Sequence, residues 1–188
     1  MKIEISDPYV TSPVFETKRF RLRQVQLKDA EDLLGCYSDP EASLLFNSDN
    51  CRSDFRLNTL KDMQNIIGVW LGEYEKRAYI RFSVVDKLAG TTAGTVEFFC
   101  RSGVDGDEQS TGVLRLDLAS RYETEENLCE LISLAGERFR EWFEFSGIVT
   151  KAVPQAERRI RVLRQEGYHR LELNGSFGYS DYYLKRSN

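Results

Sequence analysis

Histidine is nearly absent from this 188-residue chain: His169 is alone, and no spacing gives it a partner, so it reads as a structural or surface residue. Cysteine is sparse and scattered at Cys36, Cys51, Cys100 and Cys129, with no C-x-x-C pair. That spacing excludes an ordinary zinc site and a disulfide scaffold, and fits a reducing cytoplasm. Long apolar runs are missing as well. The longest, 66–71, is far below the roughly 20 residues a membrane span needs, and residues 1–10 lack the apolar core of a signal peptide. There is no excess of positive charge either; the formal net charge of −4 argues against broad nucleic-acid binding. Without repeats, low-complexity tracts or a linker, residues 1–188 are expected to form one domain with a sizeable core.

What is present is a clear alternation of periods. Residues 1–17 read as irregular, with Pro8 and Pro13 as breakers. Residues 18–26 alternate, Phe20 and Leu22 on one face and Arg19, Arg21 and Arg23 on the other, as in a half-buried strand with a solvated arginine face. A helix over 28–37 carries the stripe Ala30, Leu33, Leu34 and Tyr37, and 46–54 is a polar loop. Residues 54–75 repeat Leu60, Met63, Ile67, Trp70 and Tyr74 at helical spacing, with Gly68 and Gly72 as candidate kink points. An antiparallel hairpin is expected from strands 79–85 and 91–100. The acidic loop 103–108, suited to a basic amine or simply mobile, precedes strand 113–118. A helix over 124–145, a strand over 148–153, a helix over 156–166 stopped by Gly167, and a hairpin of 168–173 with 179–185 close the chain. The natural packing is an α/β (α+β) fold, a mixed sheet with helices on both faces.

One unit stands out, the strand–turn–helix from Val113 to Glu130. The first turn of a helix leaves unpaired N–H groups and a partial positive charge, a ready seat for an anion. Here, however, the turn has no glycine and carries Glu123, Glu125 and Glu126. Ser120-x-x-Glu123 reads as a capping box, and Thr124 followed by two acids as a good helix start, so the chain is equipped to cap this helix with its own side chains.

Five stretches carry a likeness to a known family: Phe15-Glu-Thr-Lys-Arg-Phe-Arg-Leu-Arg23 followed by Asp29-Ala-Glu-Asp-Leu33 and Tyr37-Ser-Asp-Pro-Glu41; Ala93-Gly-Thr-Val-Glu97; Leu114 to Glu130; Ile160-Arg-Val-Leu163 with Gly167-Tyr168; and Tyr179 to Leu184. In this order they resemble the GNAT superfamily of N-acetyltransferases, closest to its RimJ/RimL-like ribosomal-protein branch. The resemblance implies the GNAT fold with a mostly antiparallel sheet of six to seven strands. It implies acetyl-CoA as co-substrate, bound where the parallel strands 113–118 and 148–153 splay apart. Leu116, Asp117 and Leu118 would offer main-chain groups to pantetheine, and Tyr122, Glu123, Thr124, Glu125, Glu126 and Asn127 would form the diphosphate turn. The acceptor would be a primary amine, a peptide N-terminus or a small molecule, attacking the thioester directly. A homodimer would follow from edge-strand pairing common in such folds; no nucleic acid and no membrane partner are implied.

The chain departs from the family's pattern at the turn. The two glycine positions are Thr124 and Glu126, and the basic position between them is Glu125. Glycine lets a backbone approach phosphate closely. A carboxylate about 4 Å from a phosphate charge costs roughly 1 kcal/mol in water and about 4 near a protein surface. Arg158, Arg159, Arg161 and Arg164 lie two turns long on the last helix, after Lys151, and present planar forks suited to phosphate, Arg159 foremost; charge runs of this kind are otherwise a solvated helix face. The family's tyrosine acid falls on Leu163. Direct transfer needs a base, for which Glu97 comes first and Asp117 second, each of which would otherwise be solvent-exposed or salt-bridged. Tyr122 and Tyr168 read as core aromatics with a donor hydroxyl, and Cys100 and Cys129 as small buried groups. The expected activity is N-acetyl transfer; the alternative is a binding or regulatory module on the same fold that has lost acetyl-CoA.

Overall fold

The computed structural model describes residues 7–47, 49, 56–102, 110–171 and 179–186. Alternation makes the strands: β1 (Phe15–Glu16), β2 (Phe20–Gln24), β3 (Ile80–Asp86), β4 (Thr92–Arg101), β5 (Thr111–Leu118), β6 (Gly147–Lys151), β7 (His169–Arg170) and β8 (Tyr182–Arg186). They form one sheet in the order β1-β2-β3-β4-β5-β6-β8-β7. The sheet thus has eight strands among the described residues where six to seven were expected, because β1, a two-residue edge strand, is too short for a sequence period; β7 falls within the expected strand 168–173. Every neighbouring pair is antiparallel except β5 and β6. The acidic loop 103–108 and the link between 168–173 and 179–185 lie outside the described residues, as does most of the polar loop 46–54.

The two faces of the sheet differ in chemistry. On one, Ile80, Phe82 and Val84 of β3 and Val96 and Phe98 of β4 are buried. Against them packs α4 (Glu125–Arg138), which tightens into a 3-10 turn at Phe139–Glu141. The Phe139 ring lies 4.8 Å from Phe98 and 4.8 Å from Phe15. Period-3.6 burial of Leu128, Leu131, Ile132 and Ala135 explains the helix. It ends at Arg138 rather than at 145, since the aromatic run from Phe139 turns in to fill the centre of the core, and Gly147 starts β6.

The other face is covered by α1 (Ala30–Tyr37), α2 (Pro40–Ser43) and α3 (Leu60–Glu75). The Thr59 side chain accepts from Asp62 N and starts α3 at Leu60, the first residue of the apolar repeat, six residues after the expected start at 54. The helix runs unbroken through Gly68 and Gly72. The last helix, α5 (Glu157–Gln165), is followed by Gly167 at φ +83°, the left-handed stop its position implied.

Gly94 holds the centre together: a Cβ there would lie 2.0 Å from the Asp117 carbonyl oxygen, so β4 and β5 reach their spacing only with glycine at this point. β5 and β6 pair in parallel only over Thr111–Leu114 with Gly147–Thr150. Beyond that, β5 continues through Leu118 while β6 ends at Lys151 and the chain departs at 152, two residues before the end expected for that strand. The two central strands therefore splay, and a cleft opens at the C-terminal end of β5.

Candidate active site

The cleft is built from the end of β5, the turn into α4, the start of α5 and the segment that follows α1. Along β5 the backbone alternates its hydrogen-bonding direction. Ala119 N donates to Ala93 O on β4, and the Asp117 carbonyl faces Gly94. By that alternation Leu116 and Leu118 turn their N–H and C=O groups to the side from which β6 has departed. Of the three residues expected to line a pantetheine arm, two thus present main-chain groups to the cleft and Asp117 presents its own to β4.

Both candidate bases lie on the polar face, and both are buried: Glu97 is 2% exposed and Asp117 4%. The register explains their company. Arg81 stands opposite Glu97 across β3 and β4, and Thr95 opposite Asp117 and Glu97 opposite Arg115 across β4 and β5. Glu97 Oε2 accepts from Arg81 Nη2, and its Oε1 from Arg115 Nη1 at 2.9 Å. Asp117 Oδ2 accepts from the Tyr37 hydroxyl at 2.7 Å and from Arg81 Nη1 at 3.1 Å. Trp70 of α3 closes over the Arg81 guanidinium at 4.2 Å. Burial pushes the Tyr37 hydroxyl pKa well above its ordinary value, with the Asp117 charge adding to it, so Tyr37 stays a neutral donor. Two cations and two carboxylates thus balance in a buried net. Glu97 has both oxygens engaged, whereas Asp117 Oδ1 has no partner among the described residues.

The turn into α4 resolves the anomaly of its three glutamates. The Ser120-x-x-Glu123 capping box does not form: residues 120–122 make a 3-10 turn without a side-chain cap, because the Glu123 carboxylate is drawn elsewhere. Glu123, 4% exposed, accepts from Arg159 Nε at 3.1 Å and forms a buried ion pair with Arg159 Nη2. Arg159 Nη1 donates to Leu45 O at 3.1 Å, and Arg158 Nη1 to Glu123 O at 3.1 Å. Arg161 pairs with Glu125 at 2.7 Å in the open. The arginine run on α5 is therefore neither a purely solvated face nor a free set of phosphate forks; it is the counter-charge of the glutamate turn. Thr124 caps α4 as expected, its hydroxyl accepting from Asn127 N at 3.3 Å. Asn127 is buried, donating to Tyr122 O at 3.0 Å and accepting from Arg19 at 3.1 Å. Glu126 is exposed, and Tyr122 is buried beneath the Arg19 guanidinium.

The face of β2 is likewise less solvated than its pattern suggests. Arg19 reaches Asp86 at 2.9 Å and Arg23 reaches Asp29 at 2.6 Å, leaving Arg21 the more open, beside Glu16. Among the cysteines, Cys36 is buried under Asp117, whereas Cys129 is half-buried and Cys100 exposed, so neither of the last two is the small buried group expected. Tyr168 is core, its hydroxyl unpartnered among the described residues.

Sequence reasoning missed the segment after α1. Asp39 caps α2 with Oδ1, and its Oδ2 accepts from Ser120 N at 2.9 Å. Leu45 O receives Arg159, Asn47 Nδ2 donates to the Tyr182 hydroxyl at 2.7 Å, and Asp49 pairs with Lys151 at 2.6 Å. Residues 39–47 and Asp49 thus strap the mouth of the cleft from β5 to β8. Burial raises the Asp39 pKa, and the N–H donors from Ser120, Ala42 and Glu41 outweigh it, so the net shift is downward. Only the Asp-Pro that ends α1 signals this segment, as an N-cap with proline at the first helical position.

Between Leu45, the Glu123–Arg159 pair and the start of α5 lies an open cavity of about 340 Å³. A pantetheine arm suits the unpaired edge of β5. A nucleotide diphosphate does not suit the turn: the glycines are replaced, and carboxylates from Asp39 and Glu123 stand beside its backbone. Among the described residues no cluster of His, Cys, Asp and Glu is fit to hold a metal, and no helix is long and apolar enough to cross a membrane.

No family model matches the chain, and no curated protein does. Solved structures do. The GNAT-family acetyltransferase from Bacillus anthracis is 15% identical over 93% of this chain and 98% of its own, with a TM-score of 0.63. The ribosomal-protein-S5-alanine acetyltransferase from Vibrio fischeri is 15% identical over 93% and 97%, at 0.62. RimJ of Mycobacterium smegmatis, in complex with CoA-disulfide, is 12% identical over 88% and 79%, at 0.66. At such identities the likeness is one of fold, and the chain has the fold of the GNAT acetyltransferases.

Proposed function

We propose that a chain with this fold and this cleft transfers an acetyl group from a pantetheine thioester, acetyl-CoA being the ordinary one, to a primary amine of a peptide N-terminus or a small molecule. The observation that carries the reading is the splay: β5 runs on through Leu118 after its pairing with β6 stops at Leu114. The main-chain groups of Leu116 and Leu118 are left to hold an amide-bearing arm by strand-like hydrogen bonds. Asp117 is the favoured proton acceptor, since its Oδ1 is unpartnered among the described residues while both Glu97 oxygens face arginines. Tyr37 and Arg81 hold the Asp117 carboxylate in place through its other oxygen.

The test is release of free thiol from acetyl-CoA and from S-acetyl-pantetheine in the presence of peptides and small amines. Amine-dependent release is expected, and Asp117→Asn should lower it by about 100-fold. No release with any amine, from either thioester, overturns the reading. A second reading, a non-catalytic module on this fold, is favoured by one observation, the buried Glu123–Arg159 pair that fills the turn. Absence of binding by either thioester at millimolar concentration would establish it.

A further inference from the structure

The two halves of the cleft have unequal chemistry. The β5 half is open to an arm that hydrogen-bonds to backbone. The half at the start of α4 is closed by the chain's own groups, and each closure is a separate contact. Ser120 N–H, the donor just after β5, is taken by Asp39 Oδ2 at 2.9 Å. Asn127 N–H is taken by the Thr124 hydroxyl. The Glu123 carboxylate sits in the wall of the cavity with Arg159, whose remaining nitrogen goes to Leu45 O. Glu125 and Glu126 occupy the first turn, where a helix otherwise attracts an anion. The exposed cations at this turn are engaged as well: Arg158 donates to Glu123 O, Arg121 lies over the Tyr122 ring, and Arg161 faces Glu125 and Glu157.

A diphosphate arriving here meets the carboxylates of Asp39, Glu123, Glu125 and Glu126, and the arginines beside them are already held by groups of the chain. Its entry would have to part an ion pair that is 4% exposed on both residues, stranding a charge in the wall. The strap makes this harder, since Asp39 and Leu45 belong to the same segment and lose their partners together.

We infer that the cleft selects its donor by the pantetheine arm alone, so that its substrate class is pantetheine thioesters irrespective of a nucleotide, and that the diphosphate of CoA has no seat at α4. This rests on the reading of acyl transfer given above. The nucleotide end of CoA then lies outside the cleft and adds little to binding.

The experiment is calorimetry on the intact protein with acetyl-CoA and, separately, S-acetyl-pantetheine, at physiological salt. The expected result is two dissociation constants within about tenfold of one another, equivalent to about 1.4 kcal/mol. Acetyl-CoA binding tighter by more than that, at high salt as well as physiological salt, overturns the inference while leaving acyl transfer in place. Neither thioester binding at millimolar concentration overturns both. A repeat at high salt discriminates the origin of any gap. Attraction between CoA and the α5 arginines alone fades with added salt, and a gap that persists at high salt means a seated diphosphate and overturns the inference.

Discussion

Asp39, Gly94 and Arg81 each do something that their residue type alone does not announce. Arg81 satisfies Glu97 and Asp117 at once, from a side chain as buried as theirs. Removing it leaves two carboxylates in the core with fewer donors, so Arg81→Met should cost about 3–5 kcal/mol in urea unfolding, as broken buried pairs do. A loss below about 1 kcal/mol would mean that the net is not formed as described. Gly94→Ala puts a methyl group 2.0 Å from the Asp117 oxygen, and the strands cannot part without disturbing the whole β4–β5 pairing. It should lower the thermal midpoint by several degrees and shift thiol release as well, since the same oxygen belongs to the strand that borders the cleft.

At the scale of elements, α4 and α5 are tied through the turn that precedes α4. Two contacts of different depth make the tie. Glu123–Arg159 is buried, whereas Arg161–Glu125 is about half exposed on both sides. The first should show large coupling in a double-mutant cycle. Glu123→Gln and Arg159→Met should each cost several kcal/mol, and the double variant clearly less than their sum, because it strands no charge. Arg161→Ala should stay within about 1 kcal/mol. Additive losses for the first pair would remove the idea that α5 is the counter-charge of the turn. Thr124→Ala, which deletes the cap of α4, should cost about 1 kcal/mol in the same assay.

Over the whole molecule, three buried or half-buried aspartates set the response to acid. Burial raises the proton affinity of Asp29, Asp39 and Asp86, but hydrogen bonds outweigh it: from Arg23, Ser83 and Gln26 N–H to Asp29; from Ser120, Ala42 and Glu41 N–H to Asp39; from Ala89 N–H, Arg19 and Leu88 N–H to Asp86. All three folded pKa values are therefore depressed below the unfolded value of about 3.9. A depressed carboxyl stabilises the fold fully above the unfolded value and loses that contribution as pH falls through the folded one. The thermal midpoint should be level with respect to these groups above about pH 5 and drop steeply below about pH 4. Asp39→Asn should flatten part of that drop, and an unchanged acid limb would mean that the strap is not anchored at Ser120.

The parallel pair 113–118 and 148–153 and the loss of the turn's glycines were legible only through the resemblance to the GNAT pattern. The sequence by itself determined the order of the longer elements, which is local: it lives in periods of two and 3.6, in breakers, and in residues read side by side. Alternation along a strand puts Glu97 on the Thr95 face of β4 and Asp117 on the Arg115 face of β5 with no tertiary knowledge. Only the tertiary structure decided what those groups meet. Glu123 and Arg159 are 36 residues apart, and Asp39 and Ser120 81 apart, so neither pairing has a sequence period to betray it. Three glutamates in a turn and four arginines on a helix looked like two separate anomalies, one repelling phosphate and one seeking it. Packing α5 against the start of α4 brings Arg159 onto Glu123 and Arg161 onto Glu125, and the opposite charges of the first pair, meeting in a buried wall, answer each other before any ligand does.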